Sequence, residues 1–383
     1  MRAKIKDVRR VVVKLGSNLF FNQAGHLALG RIYSLIEDIA AAKLDGRQMI
    51  VVSSGAVALG ANALHKKAHG ALLTEKQAFA AVGQSRLMNL YEQGFAKFGL
   101  IAAQVLLTEE DFSSRKRYLN LRNTLLTLLD MDVIPVINEN DTVATSELEI
   151  TDRNASFSDN DKLSALVMSK LEAQLLVLLS DVDGLLANDP REDPQAALIP
   201  EVREITSEIQ ALSGGKSARG RGGMATKLQA AEIAMNSGGM AVIANGTKPG
   251  VLARILQGDA EGTLFVGRTN ALSGKRRWIA FASAVSGRIH INAGALEAVM
   301  RKNASLLYAG VTRIENRFEH GDVVAIIGPD GREVARGIVN YSSEDAAKLI
   351  GKHSDEIARL ASTKNYDAFV TRDNIAFLPK NHE

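Results

Sequence analysis

Val11-Val12-Val13-Lys14-Leu15-Gly16-Ser17 reads as a buried strand that ends in a turn. Three β-branched residues in succession favour a strand, and the glycine and serine behind the lysine break it. The same pattern returns four times along the chain. Met49–Val52 runs into Ser53-Ser54-Gly55-Ala56, Val133–Ile137 into Asn138-Glu139-Asn140-Asp141, Leu175–Leu179 into Ser180-Asp181, and Ala241–Ala244 into Asn245-Gly246. Between the runs lie helical spacings such as Ile32, Leu35, Ile36, Ile39 and Leu163, Leu166, Val167. This alternation predicts βαβ units and an α/β fold with an open, mainly parallel sheet sandwiched by helices. The strands show little polar alternation, as expected where helices cover both sheet faces. All five polar clusters fall at the C-terminal ends of their strands, the edge at which open α/β sheets bind ligands. Any one of them could be a plain turn; five on one edge point to chemistry.

At 383 residues the chain exceeds one ordinary core, and about 150 residues per domain predicts two or three domains. With 46% hydrophobic and 23% charged residues the composition is that of a globular protein, which excludes wholesale disorder, collagen and coiled coil. The absence of cysteine removes disulfide frameworks, thiolate metal sites, iron–sulfur clusters and cysteine nucleophiles. Nothing approaches the roughly 18 consecutive apolar residues of a membrane helix, and the valines after MRAKIKDVRR are too few for a signal-peptide core. The expectation is a soluble cytoplasmic protein that does not contact a membrane.

After about residue 260 the texture changes. Gly258 to Lys275 is rich in Gly, Thr, Asn and Ser, and beyond it short alternating segments predict strands at Trp278–Phe281, Arg288–Asn292, Leu306–Glu315 and Val323–Ile327. Gly328-Pro329-Asp330-Gly331-Arg332 predicts a hairpin turn, since proline presets one turn angle and glycine accepts positive φ. The predicted division is 1–262, a linker at 263–275, and a small, mostly β domain at 276–383. The small excess of cations in that last part is not the dense basic patch of a nucleic-acid binder.

Several short motifs fail on context. Gly214-Gly215-Lys216-Ser217 resembles the end of a P-loop, but no strand leads into it and the spacing is wrong. Gly220-Arg221-Gly222-Gly223 breaks the dinucleotide spacing at Ala225. His65 and His69 stand in a cationic segment without a carboxylate, and Ser53-Ser54-Gly55 lacks GxSxG and a marked partner histidine. What remains is a set of anion-handling elements: Lys14 before Gly16, Ser54-Gly55-Ala56 at a helix start, and Gly220 to Lys227, a glycine nest with a lysine before a helix. Facing them are Asn138-Glu139-Asn140-Asp141 and Asp159-Asn160-Asp161, suited to an ammonium group or to Mg²⁺.

These strings carry a resemblance. Val12 to Ser17, Val52 to Ala56, Ala81-Val82-Gly83-Gln84-Ser85-Arg86-Leu87, Pro135 to Asp141, Asp159-Asn160-Asp161-Lys162-Leu163-Ser164-Ala165 and Gly222 to Ala231 resemble the glutamate 5-kinase family in order and spacing. Lys275 to Ile279 and Ala335 to Ser342 resemble the PUA domain that many of its members append.

The resemblance implies an amino-acid kinase-like domain with a PUA-like domain behind it. It implies ATP-dependent phosphorylation of the L-glutamate side-chain carboxylate to L-glutamyl 5-phosphate, with ATP as co-substrate, Mg²⁺ bridging its phosphates and no metal-ligating residue assigned. It implies that Lys14 and Lys227 flank the transferring phosphoryl group while Asp161 orients them, and that Ser54, Asp141 and Asn160 hold glutamate. Lys14, Ser180, Asp181, Arg221, Gly222, Gly223, Met224, Ala225, Thr226 and Lys227 would contact the nucleotide. Proline is then the expected feedback inhibitor and the chain a homo-oligomer, tetramer or dimer. Three departures stand out: Ser180 and Arg221 each replace a usual threonine, and Thr151 to Ser158 lengthen the stretch before Asp159. The alternatives are a sister kinase acting on aspartate or N-acetylglutamate, or an RNA-binding protein working through the PUA-like domain. Weak local charge and the lack of an aromatic stacking cluster speak against the latter.

Overall fold

The computed structural model describes residues 1–108, 110–143, 160–188, 193, 195–213, 223–267, 274–282, 284–301, 304–350 and 368–378. The chain forms two compact units, one of Met1–Asp111 and Arg115–Ala271, the other of Phe112–Ser114 and Leu272–Glu383.

The first unit is built on an eight-stranded sheet. Its strands are β1 (Arg10–Leu15), β2 (Gln48–Ser53), β3 (Ala102–Leu107), β4 (Ile134–Glu139), β5 (Leu175–Ser180), β6 (Glu201–Val202), β7 (Met240–Asn245) and β8 (Thr263–Phe265), in the spatial order β3-β4-β2-β1-β5-β7-β8-β6. All five predicted runs are strands here, and they pair in parallel, so their polar ends share one edge. Among the described residues, the one antiparallel pair of strands in this sheet is β7 with β8. The sequence reading missed β3, β6 and β8, and Thr263–Phe265 lies inside the sheet rather than in a linker.

Side-chain alternation along β1 assigns its two faces. Val11, Val13 and Leu15 enter one core with the helix Leu29–Leu44 through Ile32, Leu35, Ile36 and Ile39. Lys14 falls on the opposite face, where the helices Asn160–Leu171 and Met224–Asn236 pack against each other. The direction of Lys14 is thus fixed by the parity of its neighbours.

Lys170, near the end of the helix Asn160–Leu171, is 2% exposed, with Nζ 3.4 Å from the centre of the Tyr118 ring. Burial pushes its ammonium down to about 7, against the attraction of Asp111. A lysine with a lowered folded pKa binds its proton more weakly folded than unfolded. Its destabilisation is complete below pH 7 and fades as pH rises toward the unfolded value. Lys170→Met is therefore expected to raise stability at pH 7 by about 1–2 kcal/mol, an advantage that shrinks toward pH 10. Thermal unfolding of both proteins over that pH range measures it.

The second unit carries a five-stranded sheet of β9 (Gly287–Ile291), β10 (Val311–Glu315), β11 (Val323–Ile327), β12 (Glu333–Ile338) and β13 (Ile375–Phe377), ordered β10-β9-β11-β12-β13. Its core includes Ile289, Val324 and Ile326 and an edge-to-face contact of Tyr308 with Phe369 at 5.4 Å. The turn predicted at Gly328–Arg332 joins β11 to β12, with Gly331 at φ +79° donating to Gly328 O at 3.0 Å. Two predicted strands are corrected. Trp278–Phe281 belongs to a π-helical stretch, Trp278–Ala282, because Trp278, Ile279 and Ala280 are buried in succession where a strand would bury alternate residues. The strand predicted from Leu306 starts only at Val311, behind a 3₁₀ turn at Tyr308–Gly310.

Candidate active site

β1 lies between β2 and β5, and the chain leaves it toward β2 before returning on its other side as β5. That reversal is the topological switch point of the sheet, where a crevice opens at the strand ends. Three side chains distant in sequence meet at this position. Lys14 Nζ lies 2.6 Å from Asp161 Oδ1, and Lys227 Nζ 3.2 Å from Asp161 Oδ2. Asp161 is 0% exposed and the lysines 5% and 6%. Thr226 Oγ1 donates to Asp161 Oδ2 at 3.0 Å.

Asp161 stands in the first turn of the helix Asn160–Leu171, where the helix dipole favours an anion. Burial alone would raise its pKa; Lys14, then Lys227, and the hydrogen bonds from Lys14 and Thr226 overcome this and hold the carboxylate below its usual range. Two cations around one anion leave a surplus positive charge in a buried site. Each ammonium has three donors, and the carboxylate accounts for one of them. The cluster therefore offers buried donors and positive potential to a further anion.

Beside it lies a neutral polar network. Asn160 Nδ2 donates to Ser54 Oγ at 2.8 Å and to Asn138 Oδ1 at 3.1 Å, and Asn138 Nδ2 donates to Gln84 Oε1 at 2.9 Å. Ser54 follows β2 and precedes Gly55, whose φ of +112° lets the helix Ala56–Ala63 start at once. The structure brings Ser54 and Asn160 together, and the adjacency of Asn160 to Asp161 joins this network to the charged cluster. Asp141 is half-buried in the turn after β4.

The proposed nucleotide contacts are spread along the same edge. Ser180 ends β5, is 5% exposed and lies beside Gly16. Asp181 accepts from Asn18 Nδ2 at 2.9 Å and borders a cavity of about 580 Å³ that Ser17, Phe21, Arg31 and Thr247 also line. Gly223 caps the helix Met224–Asn236, whose first turn holds Met224, Ala225 and Thr226. Arg221, Gly222, Asp159 and the stretch 151–158 lie outside the described residues. The sequence reading gave no individual role to Gln84 or Asn18, and placed Asn138 only within the Asn138–Asp141 cluster suited to an ammonium group or Mg²⁺. Asn138, 2% exposed at the end of an apolar strand, was the legible one, since a buried amide requires partners.

Among the described residues no group of three or more His, Asp or Glu side chains could hold a metal ion. Both oxygens of Asp161 face lysines, so this carboxylate does not suit a metal.

A model of the amino acid kinase family matches residues 9–245, and a PUA domain model matches residues 287–361. Glutamate 5-kinase of Trichlorobacter lovleyi is 43% identical over 378 residues, covering 98% of this chain and 99% of its own. Glutamate 5-kinase of Moorella thermoacetica is 42% identical over 378 residues, with 98% of each chain covered. Glutamate 5-kinase of a Geobacter species is 44% identical over 375 residues, covering 98% of this chain and 99% of that one. Among solved structures, the UMP kinase of Bacillus anthracis aligns with a TM-score of 0.46 at 16% identity, over 68% of this chain and 96% of that one.

Proposed function

We propose, from the premise that this chain belongs to the amino acid kinase family and within it to the glutamate 5-kinases, that it transfers the γ-phosphoryl group of ATP to the side-chain carboxylate of L-glutamate. The product is L-glutamyl 5-phosphate, an intermediate on the way from glutamate to proline. The observation that carries this reading is the buried Lys14–Asp161–Lys227 cluster at the sheet's switch point.

A carboxylate is ionised at pH 7, so the nucleophile needs no base. Its oxygen forms the new bond to phosphorus, the bond from the γ-phosphorus to the bridging oxygen breaks, and ADP leaves with that electron pair. The difficulty is electrostatic, since one anion attacks another, and positioned cations answer it. Lys14 and Lys227 neutralise the oxygens of the transferring group, while Asp161 keeps both ammoniums in place. Ser54, Asn160 and Asp141 hold glutamate, Asp141 opposite its ammonium. Ser180, Asp181 and the segment from Arg221 to Lys227 hold the nucleotide, with the free N–H groups of the helix beginning at Met224 facing phosphate. Mg²⁺ would enter with ATP and supply charge neutralisation at its phosphates, a role that would call on few protein ligands. The same reading makes proline a feedback inhibitor and the chain a cytoplasmic homo-oligomer, tetramer or dimer.

Purified protein with ATP, Mg²⁺, L-glutamate and hydroxylamine is expected to yield a glutamate-dependent hydroxamate, suppressed by proline and lost on chelation. Product from aspartate or N-acetylglutamate in place of glutamate would move the assignment to a sister kinase.

A further inference from the structure

The hydrogen bonds that join Asn160, Asn138 and Gln84 run in one sense, toward Gln84, and Asn160 donates on its other side to Ser54. Gln84 Oε1 accepts from Asn138 Nδ2, and Asn138 Oδ1 accepts in turn from Asn160 Nδ2, which also donates to Ser54 Oγ. An amide has one accepting and one donating end, so the direction of the first link fixes that of the next. Asn160 Nδ2 thereby uses both protons. Ser54 Oγ, already an acceptor, keeps its own proton to donate. Asn160 Oδ1 can only accept, and it is a buried atom with no hydrogen-bond partner among the described residues. A hydroxyl donor beside an amide acceptor matches the carboxylate and ammonium of an amino-acid head group.

We infer that Gln84 is a positioning residue for the amino-acid substrate: its Oε1 sets the polarity of the amide relay and so presents Ser54 as donor and Asn160 Oδ1 as acceptor. This rests on the glutamate-phosphorylating function proposed above. Gln84 is well placed for the task because its helix, Leu73–Ala96, is anchored on both sides of it. Gly83 packs against the backbone of Ala56 and Gly60, and Tyr91, two turns on, donates through Oη to Ser53 Oγ at 2.8 Å. A reversed relay would turn the donating end of Asn160 toward the place where the ammonium needs an acceptor.

The test uses the full-length enzyme and the hydroxamate assay, with variants that change what Gln84 offers at nearly constant length. Gln84→Met, which removes the acceptor, is expected to raise the KM for glutamate about tenfold, or ~1.4 kcal/mol, and the KM for ATP by less than about twofold. Gln84→Lys, which offers only donors, should raise the glutamate KM at least as far. Gln84→Glu retains an accepting oxygen and should stay within about threefold of wild type. Since Gln84 is half-buried, Glu and Lys are accommodated alike, and their comparison decides the matter even if the Met variant folds poorly. Equal glutamate KM values for Glu and Lys, or parallel rises for glutamate and ATP, would overturn the positioning role. A wild-type enzyme that makes no hydroxamate from glutamate would instead overturn the function on which it rests.

Discussion

On the role proposed for it, Lys227→Ala is expected to lower kcat by about 10²–10³-fold, the effect of deleting one preorganised donor to a charged transition state. Lys227 sits one turn into the helix Met224–Asn236, is 6% exposed, and shares Asp161 with Lys14. Water cannot replace its charge without opening the cluster. The fold should persist, because Lys14 still compensates Asp161. The carboxylate, however, loses one of the two cations that hold its pKa down. Stability from a lowered carboxylate pKa is complete above the unfolded value and disappears as pH falls through the folded one. In the variant this acid-sensitive stability should therefore be smaller, and be exhausted at a higher pH, than in wild type. Steady-state kinetics with circular dichroism along an acid series measures both effects; undiminished turnover would remove Lys227 from the mechanism.

Gly83→Ala is expected to be the most damaging single-methyl change in the first unit. The helices Ala56–Ala63 and Leu73–Ala96 cross with backbone against backbone. A Cβ at Gly83 would overlap the carbonyl oxygen of Ala56 and lie 2.6 Å from Gly60 N, and one at Gly60 would overlap the carbonyl oxygen of Phe79. Overpacking costs about 1–3 kcal/mol where side chains can yield; here the obstacles are main-chain atoms, so a loss of about 3 kcal/mol or more is expected. Because the helix Ala56–Ala63 starts next to Ser54, the displacement should also raise the glutamate KM. Denaturant titration gives the first quantity and the hydroxamate assay the second. A stability change within about 0.5 kcal/mol, the range of a surface substitution, would contradict the crossing.

β1, β2, β4, β5 and β7 were legible because helices on both faces demand unbroken apolar runs, and turn residues mark where each run stops. β3 was hidden for the opposite reason. It is an edge strand whose residues are mostly half-buried, and Ala102, Ala103 and Gln104 give no apolar run. β6 and β8 have two and three residues, too few for any period to register. Trp278–Phe281 misled because four apolar residues fit a strand and a buried helical turn equally well. Of the site, Lys14, Asp161 and Lys227 could be picked out by residue type at strand and helix ends. Their convergence on one carboxylate could not, since it depends on strand order. Gln84 escaped because a lone amide has no periodicity; only its partners give it meaning.

The position of β1 inside the sheet has a consequence for how the enzyme comes into being. β1 is flanked in the folded sheet by β2 and by β5, and β5 begins only at Leu175. Its lysine then waits for Asp161 and for Lys227, so the chain must close loops of well over 100 residues before the charged cluster exists. Contacts of such long range form slowly and late. On the role proposed for the cluster, no shorter precursor made during synthesis should turn over ATP. Catalytic competence should switch on in one step, once the helix carrying Lys227 has docked.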